Sequence, residues 1–210
     1  MSYISAGNTT TTTLIQYGDT TGNLVFATGG ANATALTLDN TQNATFTNPI
    51  KGGALITGTA QNSTSGTSII FNSIPSWAKQ ITVMFNGVST NGTSVIQVQL
   101  GASGGIETTG YATMAGLITT TNNTTRGAIY TSGFPTAHGG GIGDAWRGNI
   151  TFNLFGSNLW VGSGVVYNSA DSITMTSGTK TLSGALTQLS ITTVNGTDAF
   201  DAGSINIMYG

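Results

Sequence analysis

The chain has no cysteine, three prolines, one histidine and very little charge: five Lys or Arg and seven Asp or Glu in 210 residues. Without cysteine there is no disulfide framework and no thiolate metal site. With a net charge of −2 there is no basic face to neutralise a run of phosphates, so nucleic acid and anionic membrane are poor partners. Apolar runs such as Ser68 to Phe71 and Ile81 to Phe85 are far too short to cross a bilayer as helices. Met1 to Thr13 carries neither the basic nor the apolar stretch of a secretory signal, and none is expected. At 6% charged residues, against about a quarter in an ordinary soluble domain, the chain is short of the side chains from which most catalytic, metal-binding and phosphate-handling sites are made. No cofactor, no metal and no catalytic residue is therefore expected.

What fills the polar half instead is Thr, Ser, Asn and 31 glycines. Thr suits the half-buried pleat of a strand, Gly and Asn supply the φ > 0 positions of turns, and the helix formers Glu, Lys and Arg are nearly missing. The expectation is an all-β protein. Hydrophobic content of 38% suffices for one sizeable core.

From about residue 67 onward, period-2 segments recur. Ile96, Val98 and Leu100 alternate with Gln97 and Gln99; Ile81, Val83 and Phe85 with Thr82, Met84 and Asn86; Ile150, Phe152 and Leu154 with Thr151 and Asn153. Ser68–Asn72, Leu159–Val166, Ser172–Thr176, Gln188–Val194 and Ser204–Tyr209 read as further strands, with turn chemistry at Gly87, Asn91-Gly92, Ser103-Gly104-Gly105, Ser177-Gly178 and Asn195-Gly196. About eight short strands over residues 67–210 predict an antiparallel, jelly-roll-like β-sandwich with alternate apolar residues facing inward.

Residues 1–48 read differently. The segments Leu24–Ala27, Leu36–Leu38 and Ala44–Phe46 are very short, and a ribbon this narrow is marginal in water by itself. The economical partner is another copy, so that Leu24, Phe26, Leu36, Leu38 and Phe46 of several subunits build a shared apolar stem. Residues 49–66 would link stem to sandwich, and Thr9 to Thr13 would form an attachment arm. Scarce Lys and Pro also leave few guards for exposed strand edges, which favours burial in an oligomer.

The run from Ser68-Ile69-Ile70-Phe71-Asn72-Ser73-Ile74-Pro75-Ser76-Trp77 through Asn91-Gly92-Thr93-Ser94 resembles the opening of a β-sandwich module of tail-fibre-like and other virion proteins of tailed bacteriophages. Gln99-Leu100-Gly101, Gly105 to Tyr111, and the ending Ile191 to Asn206 resemble the same module, while Gly18 to Leu24 and Ala35 to Asp39 look like repeats of trimeric phage fibre stems. The resemblance implies a homotrimeric appendage on the virion, assembled in the host cytoplasm and attached to head or tail proteins by its N-terminus. Its work would be particle stabilisation or adhesion to a host surface glycan. It brings no catalytic residues. A head fibre or capsid decoration protein fits the short stem as well as a tail fibre does. A free-standing carbohydrate-binding module and a glycan-degrading spike are the alternatives.

Ala112 to Gly148 matches no part of that family. Within it, Phe134, His138, Trp146 and Arg147 are candidates for an exposed binding loop, because aromatic faces beside polar groups suit sugars. The competing reading is that Trp146 begins the next strand and packs. Trp77 and Trp160 read as core. Asn195, Asp198, Asp201 and Asn206 could offer oxygens to a hard cation, but their spacing fits no calcium loop and turn-forming Asx chemistry explains them. A spike would need a carboxylate pair, for which Asp144 and Asp171 are the residues to test.

Overall fold

A computed structural model describes residues 16–18, 22–28, 33–41, 43–47, 55–119, 125–137, 141–169 and 172–210. Among these residues there is no helix, and every paired strand runs antiparallel to its neighbour. The chain divides into two compact units, Met1–Ile50 and Lys51–Gly210.

The first unit is a four-stranded sheet in sequential order: β1 (Gln16–Gly18), β2 (Leu24–Thr28), β3 (Ala33–Leu38) and β4 (Ala44–Phe46). The turn between β3 and β4 is organised by Asp39. Its carboxylate accepts from the Thr41 backbone N (2.9 Å), the Asn43 backbone N (2.8 Å), Thr41 Oγ1 (2.8 Å) and Asn43 Nδ2 (3.0 Å). An Asx side chain that captures nearby donors fixes a tight connection that Gly or Pro would otherwise supply.

The second unit is a two-layer sandwich. Its strands are β5 (Ile56–Thr57), β6 (Gln61–Asn62), β7 (Ser68–Phe71), β8 (Gln80–Thr90), β9 (Ile96–Ala102), β10 (Gly105–Ile106), β11 (Tyr111–Thr119), β12 (Thr125–Tyr130), β13 (Phe134–Pro135), β14 (Trp146–Gly156), β15 (Leu159–Asn168), β16 (Ser172–Thr181), β17 (Gln188–Thr193) and β18 (Phe200–Tyr209). The larger sheet has the order β12-β11-β16-β15-β14-β8-β18-β5, with β6 also on β18; the smaller has the order β10-β9-β17-β7, with β13 on the free edge of β9. The chain crosses repeatedly between layers, at β6 to β7, β7 to β8, β8 to β9, β10 to β11, β12 to β13, β13 to β14, β16 to β17 and β17 to β18. The segment expected to be a linker, residues 49–66, contributes β5 and β6 to the edge of the sandwich.

The core lies between the layers. Ile69 and Phe71, Val98 and Leu100, and Leu189 and Ile191 come from the smaller sheet. They meet Ile81, Val83 and Phe85, Ile150 and Phe152, Trp160, and Ile205 and Ile207 from the larger. These are the alternating apolar positions of each strand, and their removal from water is the main favourable term holding the layers together. Where β18 runs along β8 it bulges at Ala202–Ser204. There Gly203 has φ +91, and a Cβ would stand 2.4 Å from the Gly87 carbonyl oxygen, so only glycine fits.

Two features depart from the sequence expectation. All of β9 is buried, including Gln97 at 2% exposure and Gln99, although glutamines alternating with apolar residues suggest a wet outer face. The segment before β13 covers them: Ser132 Oγ donates to Gln97 Oε1 (2.9 Å), and Gln99 Nε2 donates to the Ser132 carbonyl (2.9 Å). The second departure is β11 with β12, a long hairpin within the stretch that resembled nothing.

Candidate functional site

The residues proposed for the stem converge. In the first unit Leu24 pairs with Leu38, Phe26 with Leu36, and Leu36 with Phe46. Directly paired residues share a face, and so do residues two apart on one strand. Leu24, Phe26, Leu36, Leu38 and Phe46 therefore all stand on one side of the sheet. None of them is buried: the first four are half-buried and Phe46 is 47% exposed. A single copy thus gathers its apolar residues on one face of a narrow sheet without withdrawing them from water. The arm, residues 9–13, lies outside the described residues.

The residues proposed for a binding loop do not come together at the surface. Phe134 is 0% exposed, its ring edge-on to Phe152 (centroids 4.9 Å apart, 76°) and to Tyr111 (5.7 Å, 87°). The reason is the pairing of β13 with Val98 and Gln97 of β9, which draws a Gly- and Pro-flanked aromatic into the sandwich. Trp146 is 4% exposed and begins β14, as the packing alternative required. Arg147 is half-buried, its guanidinium 5.9 Å from the Tyr167 ring centroid and its Nη1 donating to the Ala145 carbonyl (3.3 Å). His138 lies outside the described residues. With Phe134 and Trp146 in the core, neither offers a ring face to a sugar. Trp160 is core as expected, while Trp77 is half-buried against it, 6.1 Å from the Tyr209 ring.

Every described carboxylate is engaged by nearby donors. Asp144 accepts from the Gly141 backbone N (2.6 Å) and Asn168 Nδ2 (3.1 Å). Asp198 accepts from Asn195 Nδ2 (2.6 Å) and the Ser94 backbone N (2.9 Å), which hold its carboxyl below the usual carboxylate range. Asp201 accepts from Ser89 Oγ. Asn195 Oδ1 accepts from the Thr197 backbone N (3.0 Å), the self-capping expected of an Asx turn. Glu107 is paired with Lys180. Asp19 and Asp171 lie outside the described residues. Among the described residues, no three His, Asp or Glu side chains approach closely enough to hold a metal ion.

One groove opens at the β5–β7 edge of the sandwich, about 240 Å³, lined by Thr59, Gln61, Phe71, Ser73, Ile207 and Tyr209 among others. That is below the roughly 300–1,000 Å³ of pockets that enclose a small ligand. Gln61, moreover, spends its amide on the Ile70 carbonyl (2.8 Å).

Compared with known protein families, curated proteins and solved structures, the chain matches none.

Proposed function

We propose that the chain is a non-enzymatic structural protein of a tailed-phage particle: a homotrimeric fibre or decoration protein, attached to head or tail proteins through its amino-terminal arm and presenting the sandwich outward. Its work is to stabilise the particle, to adhere to a host surface glycan, or both. The observation that carries this reading is the common face of Leu24, Phe26, Leu36, Leu38 and Phe46. A sheet this narrow gains the stability it lacks when the same face of other copies covers it. The resemblance of residues 68–94 and 191–206 to virion sandwich modules supplies the setting. The non-enzymatic part is supported by the structural engagement of Asp39, Glu107, Asp144, Asp198 and Asp201, which leaves none of them poised as a general acid or base.

The test is to tag the protein and locate it on purified particles by electron microscopy, in full length and with residues 1–48 deleted. Full-length protein should decorate one site on the particle, and the truncated sandwich should fold yet bind particles and self-associate more weakly. Absence of the full-length protein from particles, or unchanged trimerisation and particle binding after truncation, overturns the reading. Polysaccharide cleavage lost on mutating Asp144 or Asp171 would overturn the non-enzymatic part.

A further inference from the structure

At one end of the larger sheet the usual amphipathic pattern is inverted. Between Tyr111 and Lys180 at one end of the pair and Leu117 on β11, the inward positions of β11 and β16 carry small and hydroxyl side chains, Thr113, Ala115, Ser172, Thr174 and Thr176, all buried. The outward positions carry Met114, Ile118, Ile173 and Met175, each about half exposed. On β15 the inward positions include Trp160 and Val166, but the outward ones add Val165 and Tyr167, and β12 adds Ile129 at 77% exposure. A strand that must bury one face places its apolar set there, and a one-residue change of register would reverse the faces. Here hydroxyls occupy much of the inner face of β11 and β16 while larger apolar groups stand outside.

The register makes these residues one surface. Met114 is opposite Ile129, Ile118 opposite Ile173, Gly116 opposite Met175, Met175 opposite Val165, and Ile173 opposite Tyr167. Seven large apolar residues, each about half exposed or more, therefore lie side by side, a patch at least of the about 300–600 Å² class of the largest on a typical monomer. Beyond β15 the outward positions of β14 and β8 are mostly polar, Asn149, Asn153, Gln80 and Asn86 with Arg147 and Thr151, interrupted by Met84, while Phe155 at the irregularity of β14 is 78% exposed.

We propose that the outer face of β12-β11-β16-β15 is an interface between copies of this chain, its occupant being the same face of a neighbouring copy gathered about a rotation axis. The outward positions of β11, β15 and β16 contain no Lys, Arg, Asp or Glu, and the one cation at the border, Arg147, lies against the Tyr167 ring, so the middle of the face meets its own image without like-charge repulsion. Two such sheets can stack at the about 10 Å spacing of sandwich layers. Gly116 opposite Gly127 leaves a lane without side chains beside Met114, whose flexible thioether can yield to an incoming side chain of the other copy. This interface lies wholly within the second unit and stands apart from both the amino-terminal sheet and the particle assignment.

The native absence of cysteine gives a clean test. Full-length protein with Ser177→Cys, in the middle of the face, and with Asn153→Cys, on the polar half of the same sheet, is oxidised at micromolar concentration and resolved on a non-reducing gel. Covalent dimer should form with Ser177→Cys and be at least tenfold less abundant with Asn153→Cys; equal cross-linking overturns the proposal. In parallel, Met175→Glu combined with Ile129→Glu should weaken at least tenfold, by sedimentation velocity, the association step made through this face, leaving at most the oligomer held by the first unit, with the β-type circular dichroism spectrum retained. Unchanged association overturns the proposal, as does a monomeric wild type. Should the charged variant fail to fold, the cysteine comparison still decides. Cross-linking is measured on purified protein, so an interface without particle binding, or particle binding without this interface, separates the two proposals.

Discussion

Lys180 Nζ lies 2.6 Å from Glu107 Oε2, with the lysine side chain 6% exposed and the glutamate 22%. The pair ties β16 to the loop after β10, and both groups make further contacts. Lys180 Nζ also donates to the Thr109 carbonyl (3.0 Å) and sits 5.2 Å from the Tyr111 ring centroid. Glu107 Oε1 accepts from the backbone N (2.8 Å) and Oγ (2.7 Å) of Ser183. The Tyr111 hydroxyl donates to the Glu107 carbonyl (2.7 Å) and accepts from the Leu100 backbone N (2.7 Å), which carries the network to the smaller sheet. Desolvation, opposed only in part by the hydrogen bonding with Leu100, pushes the Tyr111 phenol above its ordinary range.

Glu107→Gln leaves Lys180 buried without its counter-ion. Removing one partner of a buried pair costs roughly 3–5 kcal/mol, and the wetter glutamate end reduces this to about 2 kcal/mol here. Urea unfolding at pH 7 should show that loss, and Glu107→Gln combined with Lys180→Met should recover part of it by removing the orphaned charge. A Glu107→Gln protein as stable as wild type would mean that the pair is idle.

The same carboxylate sets an acid limit. Partial burial raises the Glu107 carboxyl, but the hydrogen bond from Lys180 and those from Ser183 outweigh it, leaving it below its usual 4.5. A carboxylate depressed in the folded state stabilises fully above its unfolded value, and that contribution fades as pH falls through the folded one. Melting temperature should therefore hold from neutrality to about pH 5 and fall below it, and the fall should be shallower in Glu107→Gln. Parallel curves for the two proteins would exclude Glu107 as the titrating group.

Asp39 offers a second titration, in the first unit. Hydrogen bonds from the Asn43 side chain and backbone, and then from Thr41, lower its carboxyl from 3.8 to about 2. The β3–β4 turn should hold above the ordinary carboxylate value and loosen only as pH drops toward 2. Carboxyl-carbon chemical shifts followed against pH check this directly. A midpoint near 3.8 would mean that Asp39 does not hold the turn.

The sequence showed the fold where apolar alternation faces the core. Ile81-Val83-Phe85, Ile96-Val98-Leu100 and Ile150-Phe152 could be read because each strand carries its own inward face. Spacings of two put Leu24 with Phe26 and Leu36 with Leu38 on one side of their own strands, but only the register of the two hairpins brings these pairs and Phe46 to a common face. The β11–β12 hairpin was missed because its larger apolar groups alternate outward, with Gly116 and Gly127 interrupting the pattern. Phe134 reads as a loop residue, and Trp146 as either a loop residue or the start of a packed strand, because Pro135 and the glycines of 139–143 are loop chemistry. What buries them is pairing of β13 with β9 and of β14 with β8, strands distant in sequence, and no local window contains those partners. Gln97 and Gln99 fail in the same way, since Ser132 and Gly133 cover them from more than thirty residues away.

Salt should matter little. Among the described residues Glu107–Lys180 is the one ion pair, and its low exposure limits screening, whereas exposed pairs lose their attraction beyond the about 10 Å screening length at 0.1 M salt. The melting temperature should change by less than about 4 °C between low salt and 0.5 M NaCl, since a shift that size reports a little over 1 kcal/mol in a domain of this length. A larger change would reveal charge interactions that these contacts do not contain.

The aromatic stack at the centre of the sandwich should respond to both removal and addition of volume. Phe134→Ala deletes a fully buried ring held between Phe152 and Tyr111, for which the loss is about 3–5 kcal/mol. Gly162 on β15 lies beneath the same rings, and a Cβ there would stand 2.6 Å from Phe134 Cε1 and 2.7 Å from Phe152 Cδ1. Gly162→Ala should thus cost roughly 1–3 kcal/mol through overpacking, although alanine is otherwise the mildest replacement for glycine in a strand. Combining Gly162→Ala with Phe134→Leu, which withdraws the ring edge from the clash, should cost less than the two single losses added together. Guanidinium unfolding of the four proteins completes the cycle, and strict additivity would show that the rings and the glycine do not share this space.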